Sequence, residues 1–281
     1  MIRPGTNEGP PDGATTEPDP AEAGQWRALL TGEDPSLRSL RRRWLRVPNG
    51  PRCKVCSAPF HGPGRILTRL VMHGQSVVNP TMCQMCFGRL SDHPGGAEVD
   101  ISIVFADIRG STGIAETIGA VAFRRALQTF YGLASKAIEG QGGYVDKYLG
   151  DGVMALFIPV LAGDAHAGRA LAAALELVAA VEASSLPSAG VRVGAGVHHG
   201  SAFVGVLGSG ERLDFSALGD TVNVAARLGA IAGPGEVVAS RDVWSAAGRP
   251  LTDGEARRVA LIGRHEPLDV VVLASVVATS A

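Results

Sequence analysis

Two aspartates in glycine-flanked turns are the residues of this 281-residue chain best suited to hold a reactive ligand. Asp107 closes an apolar run, Ile101 to Ala106, and leads into Ile108-Arg109-Gly110-Ser111-Thr112-Gly113; Asp151 stands in Gly150-Asp151-Gly152 between two further apolar runs. If the three runs pair as neighbouring strands, both carboxylates reach one rim of a sheet. That is an oxygen-rich pair suited to a hard divalent cation such as Mg²⁺. The main-chain amides of Gly110, Ser111 and Thr112, at the start of a helix, would offer unpaired N–H groups to phosphate oxygens. Either aspartate alone reads as ordinary turn chemistry; together they point to a metal-dependent phosphate site.

A second constellation is thiol-based. Cys53-Lys54-Val55-Cys56 and Cys83-Gln84-Met85-Cys86 are two Cys-x-x-Cys pairs separated by 26 residues. Each pair can grip an ion from one tight turn, and two pairs complete a tetrahedron. Structural Zn²⁺ is the first reading, and an iron–sulfur cluster on the same four thiolates is the alternative, with a redox dithiol or inert core cysteines behind them. His61 or His73 could replace one thiolate, although a free exposed histidine is the more ordinary expectation.

Positioning these groups requires an ordered scaffold. Tyr144 to Tyr148 and Val153 to Phe157 read as strands around the Asp151 turn, and Ala120 to Glu139 and Asp164 to Ala183 as helices. Val191 to Val197 and Ala202 to Leu207 read as a hairpin turning at His198, His199 and Gly200, which would make both histidines solvated tip residues. The order strand, helix, hairpin, helix, hairpin is α+β with mostly antiparallel pairing. Residues 1–22, rich in Pro and acids, read as a disordered tail. Segment 23–98 holds a basic helical stretch, broken near Pro35, and the cysteine module. A Pro and Gly linker, Ser91 to Ala97, then hinges it to a second domain over 99–281. The arginines of 38–46 are expected to form a solvated helix face, with weak peripheral membrane contact as the alternative.

Phe105-Ala106-Asp107-Ile108-Arg109-Gly110-Ser111-Thr112, Gly142-Gly143-Tyr144-Val145-Asp146-Lys147-Tyr148-Leu149-Gly150-Asp151 and Leu218-Gly219-Asp220-Thr221-Val222-Asn223-Val224-Ala225-Ala226-Arg227-Leu228 occur in that order. Taken together they resemble the class III nucleotidyl cyclase catalytic domain, over about Val99 to Val272. The resemblance implies a ferredoxin-like antiparallel sheet with helices, and a reaction turning ATP into 3′,5′-cyclic AMP and pyrophosphate. It implies that Asp107, Ile108 and Asp151 are the positions binding two Mg²⁺ or Mn²⁺ ions per active site. Asn223, which orients the ribose, and Arg227, which stabilises charge growing on the α-phosphoryl group, would come from the second subunit of a homodimer. The two are four apart on an expected helix and share a face. Lys147 would donate to adenine N1. Ser216, seven residues before Asn223, would accept from the 6-amino group, and Asp214 lies two residues away on the same strand face. Lys147 is also one of only three lysines among 26 Lys and Arg residues. Gly110, Ser111, Thr112 and Arg264 would contact the triphosphate, Arg264 because Ile262 stands where the family usually has a basic residue. Guanylate cyclase activity and a non-catalytic nucleotide-binding module are the alternatives.

Composition narrows the partners. A formal net charge of -1 removes any global electrostatic argument for nucleic acid, and no run of eighteen apolar residues appears. The first residues, Met1-Ile2-Arg3-Pro4-Gly5, lack the apolar stretch of a secretory leader, so a cytoplasmic setting with reduced cysteines is expected.

Overall fold

β1 (Gly96–Ile108) lies inside the sheet with a neighbour on each edge, and its alternation explains the layers above and below it. Ala97, Val99, Ile101 and Ile103 are buried on one face, and Val104, Ala106 and Ile108 join the core on the other. In the computed structural model of the chain, described for residues 20–47, 51–53, 55–62, 64–71, 73–77, 82–92, 95–209, 212–248, 254–264 and 266–274, β1 is sandwiched between β3 (Gly152–Phe157) and β4 (Val193–Ser209). The sheet runs β2 (Tyr144–Leu149), β3, β1, β4, β6 (Glu236–Ser240), β8 (Leu268–Ala274), β7 (Glu255–Val259), with β5 (Arg212–Leu218) on the far half of β4. Only β4 with β6 is parallel; every other pair is antiparallel.

The helices outside the sheet order are α1 (Pro20–Thr31), α2 (Pro35–Leu45), α3 (Gly64–Leu70), α4 (Gln84–Asp92), α5 (Ser111–Ile118), α6 (Ala120–Gly140), α7 (Pro159–Ala162), α8 (His166–Glu182), α9 (Asp220–Ile231) and α10 (Arg241–Ala246). The apolar stripes of α6 and α8 (Phe130, Ile138, Leu171, Leu177) close one sheet face over Val104, Val153 and Phe157. On the opposite face, α9 lays Val224 and Leu228 over Val238, Val270 and Val272. It can lie this close because Gly196 meets Gly229: a Cβ on Gly196 would stand 2.0 Å from the Gly229 nitrogen.

Three expectations change. The hairpin at 198–200 is one unbroken strand, because β4 pairs with β1 from Gly96↔Gly205 through to Ile108↔Val193; the turn comes after Ser209, and β5 returns along it. The linker at 91–97 is shorter than expected, since α4 continues to Asp92 and Gly96 already lies in β1. The hinge gives way to a shared core: Trp26, Leu30, Trp44 and the cysteines pack in one buried cluster with Ile101, Ile103, Leu156 and Phe215 of the sheet. The tail expected over 1–22 lies outside the described residues except 20–22, which open α1. The break near Pro35 holds: Asp34 caps α2, accepting from the Ser36 (2.8 Å) and Leu37 (2.9 Å) amides, with proline at the first helical position. Among the described residues, no helix is long and apolar enough to cross a membrane.

Candidate active site and cysteine cluster

The antiparallel pairing of β1 and β3 places Asp107 opposite Gly152, and the Ile108 N–H donates to the Asp151 carbonyl at 3.1 Å. Both aspartates therefore stand at one end of adjacent strands, as their turns predict. Ile108 has its side chain in the core, so only its main chain can face a ligand. The Arg109 guanidinium pairs with Asp107, and the charge of Asp151 also favours its protonated form, against burial, which lowers its pKa. One cation thus already stands in the field of both carboxylates, which fits a donor set built for positive charge. Arg109 Nη1 also donates to the carbonyls of Ala230 (3.0 Å) and Ala232 (3.2 Å), tying this rim to the end of α9. The Tyr131 hydroxyl donates to the Gly150 carbonyl and steadies the Asp151 turn. Gly110, at φ 68, takes the left-handed backbone that starts α5 and leaves the Ser111 and Thr112 amides at its open end.

A second group gathers between β2 and β5. Lys147 Nζ lies 3.2 Å from Ser216 Oγ, 3.2 Å from Asp146 Oδ2 and 3.5 Å from Asp214 Oδ2. Ser216 donates to Asp146 Oδ2 at 2.8 Å. Both residues two apart on β5 therefore reach Lys147, Ser216 from a buried position and Asp214 from an exposed one. Asp146 is the residue that sequence reasoning missed. Its side chain is fully buried and its Oδ1 has no hydrogen-bond partner, and burial pushes its carboxyl above the ordinary value while Ser216 and Lys147 pull it down. Strict alternation sends neighbours such as Asp146 and Lys147 to opposite faces, but a register shift between Val145 and Lys147 makes Asp146 the extra residue of a bulge.

The third group sits on α9. Asn223 is exposed, and Arg227 lies half-buried with its guanidinium against Gly263, where a Cβ would come within 3.2 Å of Nη2. Arg264, one residue further along the β7–β8 loop, pairs with Asp220 at 3.5 Å. Among the described residues, no hydrogen bond or ion pair links the Asp107 or Asp151 side chain to Lys147, Ser216, Asn223 or Arg227.

The profile of the Adenylate and Guanylate cyclase catalytic domain matches residues 96–266, more than half of the chain. The chain belongs to that class III cyclase family. Its relatives include an adenylate cyclase of Anabaena cylindrica, 34% identical over 139 residues that make up 46% of this chain and 26% of the relative. Adenylate cyclase 1 of Rhizobium meliloti is 34% identical over 148 residues, 49% of this chain and 22% of the relative. The matched stretches thus span about a quarter or less of these curated relatives. Among solved structures, the guanylyl cyclase Cya2 superposes with a TM-score of 0.59 at 26% identity, covering 63% of this chain and 93% of the other. The adenylyl cyclase CyaB from P. aeruginosa gives 0.57 at 25%, covering 64% and 96%. The likeness carries the α+β cyclase fold; by itself it does not divide adenine from guanine.

Outside the matched segment, the cyclase chain brings its four cysteines together. The sulfurs of Cys53, Cys56, Cys83 and Cys86 all lie within 4.8 Å of one another, buried, with Cys56 and Cys83 3.8 Å apart. Four thiolates at about 2.3 Å around one tetrahedral ion stand roughly 3.8 Å apart, so the set fits a single ion. The thiolates of a multi-iron cluster bind different irons and would be spaced more widely. Crowding splits the protonation states: neighbouring thiols and the Cys86 N–H favour a thiolate at Cys83, while Cys56 and Cys86 are pushed up. The Cys83 N–H in turn donates to Cys53 Sγ (3.2 Å), and the neighbouring Cys56 thiol lowers the Cys53 pKa. All four cysteines join the cluster, and His73, expected as a free exposed histidine, is buried. Its Nδ1 lies 3.2 Å from Cys83 Sγ and 3.6 Å from Cys56 Sγ, beside the four, with its ring edge-on to Trp44; His61 is exposed.

The solvated-tip expectation for His198 and His199 is overturned. His198 is buried, with Nδ1 2.7 Å from Ser240 Oγ, and burial pushes its pKa down to about 4. His199 shares the Ser102 hydroxyl (3.3 Å) with buried His166 (3.1 Å), whose pKa burial likewise lowers to about 4. These contacts are packing and strand pairing, remote from the acidic rim in the hydrogen-bond network.

Proposed function

We propose that this protein is an adenylate cyclase that converts ATP to 3′,5′-cyclic AMP and pyrophosphate at sites shared by two copies of the chain. The observation that carries the adenine assignment is the Lys147–Ser216–Asp146 arrangement. Lys147 offers a donor to a ring nitrogen. Ser216, whose own proton goes to Asp146, presents lone pairs that can accept from an exocyclic amine. Guanine offers a carbonyl oxygen at that position and would face a second acceptor.

Asp107 and Asp151, with the main chain of Ile108, would hold two Mg²⁺ or Mn²⁺ ions. When bound, these supply a lowered pKa for the ribose 3′-hydroxyl and neutralisation of the triphosphate. The Gly110, Ser111 and Thr112 segment and Arg264 orient the phosphate chain. Asn223 holds the ribose, and Arg227 meets the charge that develops on the α-phosphoryl oxygens, a placement that accounts for most of the catalysis in transfers of this type. Among the described residues no hydrogen bond or ion pair joins the acidic rim to the Asn223 and Arg227 side chains, so a second copy would supply the missing half. The cysteine module over 23–98 would bind Zn²⁺ and brace or regulate a catalytic domain over 99–281 in the cytoplasm.

The test is turnover of ATP and GTP, side by side, with Mn²⁺ and with Mg²⁺. Cyclic AMP formation exceeding cyclic GMP formation at least tenfold is expected. The reverse ratio would make the chain a guanylate cyclase, the reading favoured by its likeness to Cya2. No turnover with either nucleotide would make it a binding module.

A further inference from the structure

Five arginines crowd α2 and the residue after it, and four of them, Arg38, Arg41, Arg42 and Arg46, line one side of a cavity of about 530 Å³. The opposite wall is α7 of the catalytic segment, where Pro159 and Val160 face the helix. Gly32, after α1, closes one end against Val160: a Cβ there would stand 3.4 Å from the Val160 Cα. The volume falls in the range of small-molecule sites.

Charge balance sets this cavity apart from an ordinary basic helix face. Among the described residues, none of the four guanidiniums forms an ion pair with a carboxylate, and Asp164 is the only acidic residue in the lining. Two are held by main-chain oxygens instead: Arg38 Nε donates to the Gly32 carbonyl at 2.8 Å, and Arg41 Nη1 to the Val55 carbonyl at 3.3 Å. Arg38 is thereby tied to Gly32, itself part of the lining, while Arg41 is anchored to the cysteine module. Arg42 and Arg46 are exposed.

We propose that this cavity binds a small polyphosphate anion. Guanidiniums present planar forks of donors that match phosphoryl oxygens in pairs. The spacing i, i+3, i+4, i+8 spreads them along about 12 Å of helix, longer than one phosphate can span and suited to two or three linked phosphoryl groups. A flat lipid surface would meet charges splayed on a convex face; here they border an open hollow whose lining also includes Pro159 to Leu161 of a second element. Because part of the lining belongs to the N-terminal helices and part to α7 and the residues after it, a bound anion would clamp the two together. The proposal stands apart from the adenylate cyclase reading, since it uses none of the residues assigned to the reaction.

The experiment is calorimetric titration of the full chain with inorganic pyrophosphate, without added divalent cation. The wild type is expected to bind one equivalent at this site. Arg42→Gln/Arg46→Gln, a change of two exposed side chains, is expected to weaken it at least tenfold, and Arg42→Lys/Arg46→Lys to weaken it less. Arg264→Gln, on the active-site side, should leave it unchanged. Absence of binding to the wild type would overturn the proposal. So would binding that survives Arg42→Gln/Arg46→Gln and disappears in Arg264→Gln. Co-sedimentation with phosphatidylserine vesicles is the third arm: vesicle binding lost in the double variant while pyrophosphate binding is unaffected would assign the arginines to a lipid surface instead.

Discussion

Replacing Asp146 with asparagine tests the base-recognition argument at its most exposed step. In the native arrangement Asp146 Oδ2 accepts from both Ser216 (2.8 Å) and Lys147 (3.2 Å), so the Ser216 proton is committed inward. Asp146→Asn would keep the shape and lose the charge. The new amide can present N–H to Ser216, leaving the serine hydroxyl free to donate outward, the polarity that suits a guanine carbonyl. One hydrogen bond of changed polarity is worth about 1–1.5 kcal/mol, roughly a tenfold shift in the ratio of kcat/KM for ATP over GTP. The lost charge beside Lys147 adds a drop in kcat/KM for both nucleotides. Stability should move the other way or hardly at all, because the buried carboxylate has one unpartnered oxygen and its desolvation is relieved. The assay is paired ATP and GTP kinetics in Mn²⁺ with a thermal melt of the same preparation. An unchanged nucleotide ratio in a variant that melts normally would refute the role given to Asp146 and weaken that given to Ser216.

Mixing an Asp107→Ala chain with an Arg227→Ala chain, each inactive alone, should restore about one working site per mixed dimer; no recovery in a cyclic AMP assay would count against shared sites. Arg227→Ala by itself should lower kcat by about 100- to 1,000-fold with a smaller change in KM, read from steady-state kinetics. Purified protein should carry one zinc per chain by elemental analysis and be colourless, and Cys83→Ser should lose the metal and lower the melting temperature, because the thiols lie in the same buried cluster as Trp44 and Ile101. Acid should destabilise the fold. His166 and His198 have native pKa values near 4 against an ordinary 6.5, so the unfolded chain binds more protons between those values and stability falls as pH drops from about 6.5 towards 4. The limit is on the order of 3 kcal/mol per histidine, and a melting temperature flat across pH 4.5–6.5 would contradict the burial of both rings.

What the sequence made legible follows from how local each signal was. Asp107, Asp151 and the start of α5 are fixed by turns whose glycines and neighbours are contiguous, and the two residues stand at one end of adjacent strands. The helix carrying Asn223 and Arg227 and the two Cys-x-x-Cys turns are local in the same sense. Illegible features depended on a partner strand. His198-His199-Gly200 looks like a turn because polar residues and glycine interrupt an apolar run, yet the interruption is filled from outside, by Ser102 and His166 on one face and Ser240 on the other. The strand stays straight because β1 is long enough to pair along all of it.

Asp146 was hidden for a related reason. A bulge moves one residue out of alternation, and nothing in Tyr144-Val145-Asp146-Lys147 marks which one. The Tyr144 hydroxyl, donating to the Phe215 carbonyl at 2.9 Å, holds β2 to β5 just before the irregularity. Adjacent Asp146 and Lys147 then meet Ser216 together, where regular pleating would have parted them. The consequence for recognition is that the polarity of Ser216 is set by a neighbouring strand's irregularity and not by the identity of Ser216 alone. A chain with the same Lys and Ser but a regular β2 would have a serine hydroxyl free to rotate, and should discriminate adenine from guanine less well.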